Sequence, residues 1–373
     1  QPLRRKGRGF EMSGRLTEKV LGSFYGAAVG DAMGAATESF SRRRIEEVYG
    51  GRVTTFQKPA PETPAFGRRA GQITDAFGIP WSLARQIVRR GEVDARAGID
   101  ALLEWSEDPD VFERFAGMTT KKVIRQLRES AGSMNYWEYA GRLGNRLFKS
   151  HFYALSSNGA AVKAFVPGIL NPGNPDQAIQ DAITICMTSH DDRISISGAC
   201  AVAAAASRAM EDDASVESMV DAAFYGAGEG LERVPSDAMS YPGPSVSKRL
   251  DMAIRVVMKG LPKEERIRLL ADIVVPGPAI AETVPVAFAL LVCNGGETMP
   301  AIVDAVNVGD ETSAIAAIVG ALTGARAGLS SIRPEDRRTI LENNSMDIEG
   351  TGAQFCALIE KRSRMGDMNL GTA

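Results

Sequence analysis

Apolar residues recur at helical spacing along most of the chain, and the two-residue alternation that marks strands is almost absent. Residues 13–39 read as one helix in which Gly22, Gly26, Gly30 and Gly34 recur every four positions. Glycine costs a helix roughly 1 kcal/mol per position relative to alanine, so four on one face predict close approach of another backbone. A stretch with loop character, 40–73, contains a short helix at 41–48 and then Gly50-Gly51, Pro59, Pro61 and Pro64. Helical patterns resume at 81–91, 94–106 and 119–130, and residues 131–156 are aromatic with spaced glycines. "LNPGNPDQA" (170–178) is a turn in which Asn174 caps, and Pro175 begins, a helix running to about Thr188. "SISGACAVAAAASRAM" (195–210) is too apolar all round for a surface helix. Further helices are predicted at 215–230, 245–259, 263–272, 280–293, 298–307, 313–328 and 334–343. No fixed-period repeat is evident, which argues against a solenoid. The pattern predicts one compact all-α domain over 13–360, a basic leader over 1–12 and a flexible tail over 361–373.

Composition narrows the functional classes. The chain has 373 residues, 44% hydrophobic and 24% charged, which is ordinary for a globular protein. A net charge of −3 gives no global electrostatic footprint for nucleic acid. No uncharged apolar stretch reaches the ~18 residues of a membrane span. Arg4, Arg5, Lys6 and Arg8 precede no apolar run, so the start is not a secretory signal, and Met12 suits a natural start. Cys186, Cys200, Cys293 and Cys356 are far apart among apolar residues. They read as buried thiols of a reducing, cytoplasmic compartment. With only His151 and His190, mechanisms needing several imidazoles are excluded.

Five polar segments interrupt the small-residue helices. In "GDAMGAATES", Asp31 and Glu38 stand seven apart and are expected on one helix face. An acid among Gly and Ala is costly to bury unless it is paired or bound to a cation. In "GQITDAFGIPW", Thr74 and Asp75 precede a helix expected near Pro80; they suit a cap and equally a hard-cation pair. In "SNGAAVKAFVPG", Ser157, Asn158 and Gly159 open a helix whose free N–H groups could hold a phosphate or ribose oxygen, with Lys163 adding charge. "TSHDDRISISG" sets His190 beside Asp191 and Asp192, a group suited to a structural turn or to acid–base chemistry. In "VGDETSAIAAIVG", Asp310 can cap a helix and Glu311 favours its positive end.

In their order along residues 16–330, these segments resemble the ADP-ribosylglycohydrolase superfamily. "GAAVGDAMGAATES" is similar to that family's opening G-A-x-x-G-D-A-x-G-x-x-x-E. "SNGAAVKAFVPGIL" resembles its G-N-G-A-x-M-R-x-x-P segment. "TSHDDRISISGACAVAAA" and "AVNVGDETSAIAAIVGALTGA" resemble its T-H-x-x-x-x-A-I-x-G-A and N-x-G-G-D-T-D-T-I-A-A-I-x-G-A stretches. The resemblance implies a single orthogonal helical domain with a central cleft. There, carboxylates of the first, second and last segments bind two magnesium ions, and water cleaves the ribosyl C1″ bond of an ADP-ribosyl substrate.

The chain departs from that pattern within both metal segments. The family's T-D-D-T appears as Thr74-Asp75-Ala76-Phe77, and D-T-D-T falls on Glu311-Thr312-Ser313-Ala314. Two ionised ligands are thereby removed, which predicts at most one weak Mg²⁺ or Mn²⁺ site, among Thr74, Asp75, Asp310, Glu311 and Thr312. The expectation is a divergent hydrolase acting on a ribosyl or ADP-ribosyl bond of a small nucleoside-like substrate. Glu38, Asp75, His190 and Asp191 are its candidate catalytic groups. Asp31, Phe77, Ser157, Asn158, Gly159, Lys163 and Gly309 are its candidate substrate contacts, Phe77 by stacking where a metal once lay. The rival is a silent relative that binds nucleotide or ADP-ribose or is structural. Neither reading involves nucleic acid or membrane, and neither defines an oligomeric state.

Overall fold

The computed structural model describes residues 4–130, 156–236, 238–240 and 242–370. The aromatic stretch at 131–155, with His151, lies outside the described residues. The described residues form α1 (Arg4–Gly34), α2 (Arg42–Tyr49), α3 (Asp75–Arg90), α4 (Ala95–Trp105), α5 (Pro109–Phe115) and α6 (Met118–Ser130). Then follow α7 (Phe165–Leu170), α8 (Pro175–Cys186), α9 (Arg193–Ala209), α10 (Val216–Glu232), α11 (Val246–Val257) and α12 (Lys263–Ile273). The last are α13 (Ile280–Cys293), α14 (Thr298–Val306), α15 (Thr312–Ala327), α16 (Pro334–Asn343) and α17 (Ile348–Leu370). Two isolated bridges, Ser157 with Ala279 and Asp192 with Met239, are the only strand-like pairings among the described residues. None of the described helices is long and apolar enough to cross a membrane.

The glycine face of α1 finds its partner in α15, which runs antiparallel to it. A Cβ on Gly22 would lie 2.3 Å from the Gly324 carbonyl oxygen, and one on Gly26 2.1 Å from that of Gly320. One on Gly30 would lie 2.1 Å from the Ala316 oxygen, and one on Gly34 2.6 Å from the Ser313 Cα. No side chain fits between these helices, so backbone packs on backbone. The pair forms the central layer. Phe24 of α1 is its aromatic hub, edge-on to Trp81 of α3, Phe165 of α7 and Phe355 of α17. The small-residue helix α9 is buried almost throughout and is packed by α10, where Gly226 meets the Cys200 carbonyl. Lys19 is buried, and its ammonium donates to the Ala209, Glu211, Ala325 and Arg326 carbonyls, tying the C-terminal ends of α9 and α15 together. The cysteines are free thiols; Cys186, Cys200 and Cys356 are buried and Cys293 partly so.

Four boundaries differ from the sequence pattern. First, α1 begins at Arg4 rather than 13. Second, it stops at Gly34 rather than 39: the Thr37 hydroxyl donates to the Val306 carbonyl (2.7 Å), and Ser39 turns into the left-handed region at φ 67°. Asp31 and Glu38 therefore do not share a helix face. Third, α3 begins at Asp75, five residues before Pro80, because Thr74 caps it, its hydroxyl accepting from the Ala76 N–H, and Pro80 lies inside the helix. Fourth, α17 carries helix to Leu370 through the expected tail, and Arg362 donates to Asp181 at 2.9 Å.

Candidate functional site

A cleft of about 340 Å³ opens where α3, α15 and the 157–159 turn converge. One wall is polar and carries Glu38, Thr74, Asp75, Ser157, Asn158, Glu311 and Ser313. Pro64, Ala65, Phe115 and Met118 add an apolar part to the lining, with Arg114 and Thr119.

The two acids of the first segment reach across to brace the segments that line the cleft. Asp31 is fully buried, and its carboxylate accepts from the Thr74 N–H (2.8 Å), the Thr74 hydroxyl (2.6 Å) and the Phe77 N–H (2.9 Å). It thus supplies the anion that the open N-terminus of α3 favours. The expected substrate contact at Asp31 is therefore a buried brace, its lone pairs committed to α3. Glu38 does the same for α15: its carboxylate accepts from the Ser313 N–H (2.7 Å), while one edge stays on the cleft. The expected cap, Asp310, makes no such bond, and the helix start at Glu311 has no side-chain cap of its own.

Three carboxyl groups now share the cleft, and each is pushed towards its protonated form. Burial raises Asp75 to about 8, with the charges of Asp31 and Glu311 adding to the effect. Burial and then the charge of Glu311 hold Glu38 well above the usual carboxylate range. Glu311 is raised by burial, although the Asn158 amide donating to it at 2.8 Å opposes the shift. Asn158 is itself fixed, since its N–H donates to the Pro278 carbonyl (2.9 Å).

The third and fourth segments meet behind the polar wall. Ser157, Asn158 and Gly159 do line the cleft, but as a single 3-10 turn, Asn158–Ala160, not the start of a helix. Ser157 Oγ lies 2.7 Å from His190 Nε2. His190 and Asp191 are fully buried and do not line the cleft, because α9 begins beneath them; the Asp191 carbonyl is bound by the Met239 N–H (2.7 Å). The expected direct catalytic contacts at His190 and Asp191 are corrected accordingly. Lys163 is also buried and points away from the cleft, donating to Ser189 Oγ, so it adds no charge to the cleft surface.

Three more expectations fail for local reasons. Phe77 is fully buried, 5.9 Å from the Trp81 ring, because it lies on the core face of α3; it cannot stack on a ligand. Gly309 (φ 99°) and Asp310 (φ 57°) form a left-handed turn that directs Asp310 outward. Both line a separate depression with Phe40, Arg42 and Arg268. Thr312 is buried, its hydroxyl bonded to the Gly34 carbonyl at 2.9 Å.

The hard oxygen donors on the cleft are Glu38, Asp75, Glu311 and the second lone pair of Thr74, whereas Asp310 lines the separate depression and the Asp31 and Thr312 side chains are buried. Among the described residues no group of three or more His, Cys, Asp or Glu side chains is arranged to hold a metal.

The sequence pattern did not mark the apolar part of the lining or the role of Ser189. Pro64 and Ala65 lie in a plain loop and Phe115 and Met118 at ordinary helix ends, so no local signal marks them. Ser189 stood in view within "TSH", but its bond to His190 Nδ1 (2.8 Å) depends on tertiary placement.

Known proteins agree with this architecture. Among solved structures, an ADP-ribosylglycohydrolase-related protein complex matches with a TM-score of 0.63 at 20% identity, over 93% of this chain and 99% of its own, a likeness of fold. The uncharacterized protein YegU of Escherichia coli K12 is 26% identical over 337 residues, spanning 89% of this chain and 94% of its own length. The ADP-ribosyl-dinitrogen reductase glycohydrolase of Rhodospirillum rubrum is 26% identical over 159 residues, 42% of this chain and 46% of its own. The family described as ADP-ribosylglycohydrolase matches residues 12–365, so the chain belongs to that family.

Proposed function

We propose that the protein hydrolyses a ribosyl or ADP-ribosyl glycosidic bond in a small nucleoside-like substrate, working mainly through carboxyl groups. The observation that carries this reading is the convergence of Glu38, Asp75 and Glu311 on one cleft, each pushed upward by burial and Asp75 to about 8. Glycoside hydrolysis through an oxocarbenium-like state needs one carboxylic acid to protonate the leaving group and one carboxylate to take a proton from water. Asp75, protonated at pH 7, serves as the acid. The Glu38 and Glu311 pair, whose mutual repulsion opposes full ionisation without requiring full protonation, keeps a negative charge for the base. Asn158 orients Glu311, and the Ser313 N–H orients Glu38. Phe115, Met118 and Pro64 offer an apolar surface for a flat leaving group such as a base. Were one Mg²⁺ or Mn²⁺ bound, ionised Asp75 with Glu311 and Thr74 would hold it, and it would polarise water and ribose hydroxyls in place of the Asp75 proton. Free buried thiols suit a cytoplasmic location.

The second reading, a silent ADP-ribose-binding protein, is favoured by Ala76, Phe77, Ser313 and Ala314 in the two family metal segments. Release of ribose or ADP-ribose from nucleosides, NAD and ADP-ribosylated arginine separates the two. Turnover that falls at least ~100-fold in Asp75→Asn supports hydrolysis by the cleft acid. Turnover unchanged in Asp75→Asn and Glu311→Gln sinks the assigned cleft. Binding of ADP-ribose with no turnover of any of these substrates establishes the second reading.

A further inference from the structure

Ser157 ends a buried chain of polar atoms. Behind its hydroxyl, 2.7 Å away, is Nε2 of His190; the other ring nitrogen, Nδ1, lies 2.8 Å from Ser189 Oγ; and Lys163 Nζ makes a short hydrogen bond to that same Ser189 oxygen. Lys163, Ser189 and His190 are all buried, whereas Ser157 is partly exposed on the cleft. The ring is fully buried, with Cε1 close against Gly159, where a Cβ would lie 3.2 Å away.

Counting protons along the chain fixes its direction. An ammonium has donors only, so Ser189 Oγ accepts from Lys163. Among the described residues, the hydrogen bonds of Ser189 Oγ run to Lys163 and His190 alone, so its single proton goes to Nδ1. Burial, and then the Lys163 charge, hold the His190 pKa well below its ordinary value, so the ring is neutral and carries one proton. With Nδ1 accepting, that proton is on Nε2, and Nε2–H donates to Ser157 Oγ. The Ser157 oxygen is then an acceptor towards the protein, and its own proton is left for the cleft.

We infer that Lys163, Ser189 and His190 are positioning residues that hold one imidazole tautomer and thereby make Ser157 a hydrogen-bond donor to the ligand. The proton that Ser157 leaves for the cleft suits an acceptor on the ligand, such as an oxygen of a phosphate, a carbonyl or a ribose. This deepens the hydrolase reading and rests on it only for the identity of the ligand. It also gives the buried Lys163 a role: its charge reaches the cleft as hydrogen-bond polarity, without a cation on the surface.

The test is direct because the chain has two histidines. In the protein labelled with ¹⁵N-histidine, and with His151→Asn to assign signals, the expected His190 state is neutral with the proton on Nε2. A proton on Nδ1, or an imidazolium at neutral pH, overturns the inference. Lys163→Met and Ser189→Ala, either of which suffices if the other fails to fold, are expected to produce a mixture of tautomers or the Nδ1–H form. An unchanged Nε2–H form in a folded variant refutes the relay. Ser157→Ala is expected to weaken ADP-ribose binding about tenfold, the loss of one hydrogen bond to a charged acceptor. If the wild-type protein does not bind ADP-ribose, the functional reading fails, and the tautomer measurement still decides the relay.

Discussion

Replacing Gly26 with alanine tests the packing that holds the cleft in register. The new Cβ would stand 2.1 Å from the Gly320 carbonyl oxygen and 2.7 Å from its carbon, where ordinary contact begins at 3.4 Å. The opposing atoms are backbone, so no rotamer can relieve the overlap, and α1 and α15 must part by more than an ångström. Overpacking of this kind costs about 1–3 kcal/mol. A separation of ~0.5–1 Å along the rest of the seam also forfeits a quarter to a half of each dispersion contact. Alanine returns up to ~1 kcal/mol of helix propensity. The expected net loss is about 2 kcal/mol, a sizeable part of the ~5–15 kcal/mol typical of a folded domain. Gly228 in α10 is the matched control: it is helical, and a Cβ there meets no atom within 4 Å. Gly228→Ala should therefore stabilise by up to ~1 kcal/mol. Urea unfolding followed by far-UV circular dichroism measures both. If Gly26→Ala is as stable as the parent, or the two variants shift in the same direction, the backbone-contact argument is wrong.

Asp75 makes stability depend on pH. Its folded pKa, about 8 against an ordinary 3.8, means the native state keeps a proton that the unfolded chain releases. The associated stability is complete below pH ~4 and is lost as pH rises to ~8. Asp75→Asn should thus match the parent Tm in acid and exceed it increasingly towards pH ~8; a constant Tm difference across that range contradicts the assignment. Asp31→Ala leaves the Thr74 N–H, its hydroxyl and the Phe77 N–H without their acceptor. It should cost roughly 2–4 kcal/mol in chemical denaturation, and a loss below ~0.5 kcal/mol would show that the brace is unimportant. Calorimetric titration with Mg²⁺ or Mn²⁺ should find no more than one weak site, abolished by Glu311→Gln; two tight ions per chain would refute the donor count.

The parts of this molecule that were legible in the sequence are those whose signal is local. The four-residue glycine spacing in α1 predicted a backbone contact without naming its partner, since α15 lies far along the chain. The polar segments were recognisable, yet which side chains face the cleft was not. Phe77 follows Asp75 by two residues, and helical twist alone sends it to the core. Asp310 looked like the cap of α15, but its positive φ turns it outward, and Glu38 arrives from another element to bind that helix start. The early stop of α1 has the same origin: Thr37 bonds to a carbonyl in α14, and no window around Thr37 contains it.

Asp31 has a consequence that its burial conceals. A carboxylate in the first turn of a helix ordinarily loses its proton more easily, because the helix dipole favours the anion. Asp75 occupies that position in α3 and behaves in the opposite way. The positive end of α3 is already occupied: Asp31 holds its N–H groups and sets a second negative charge beside Asp75. Next to burial, that charge is the largest cause of the raised Asp75 pKa. A buried residue that does not line the cleft therefore raises the pKa of the cleft's acid, and the joint between two helices doubles as the device that keeps a proton in reserve.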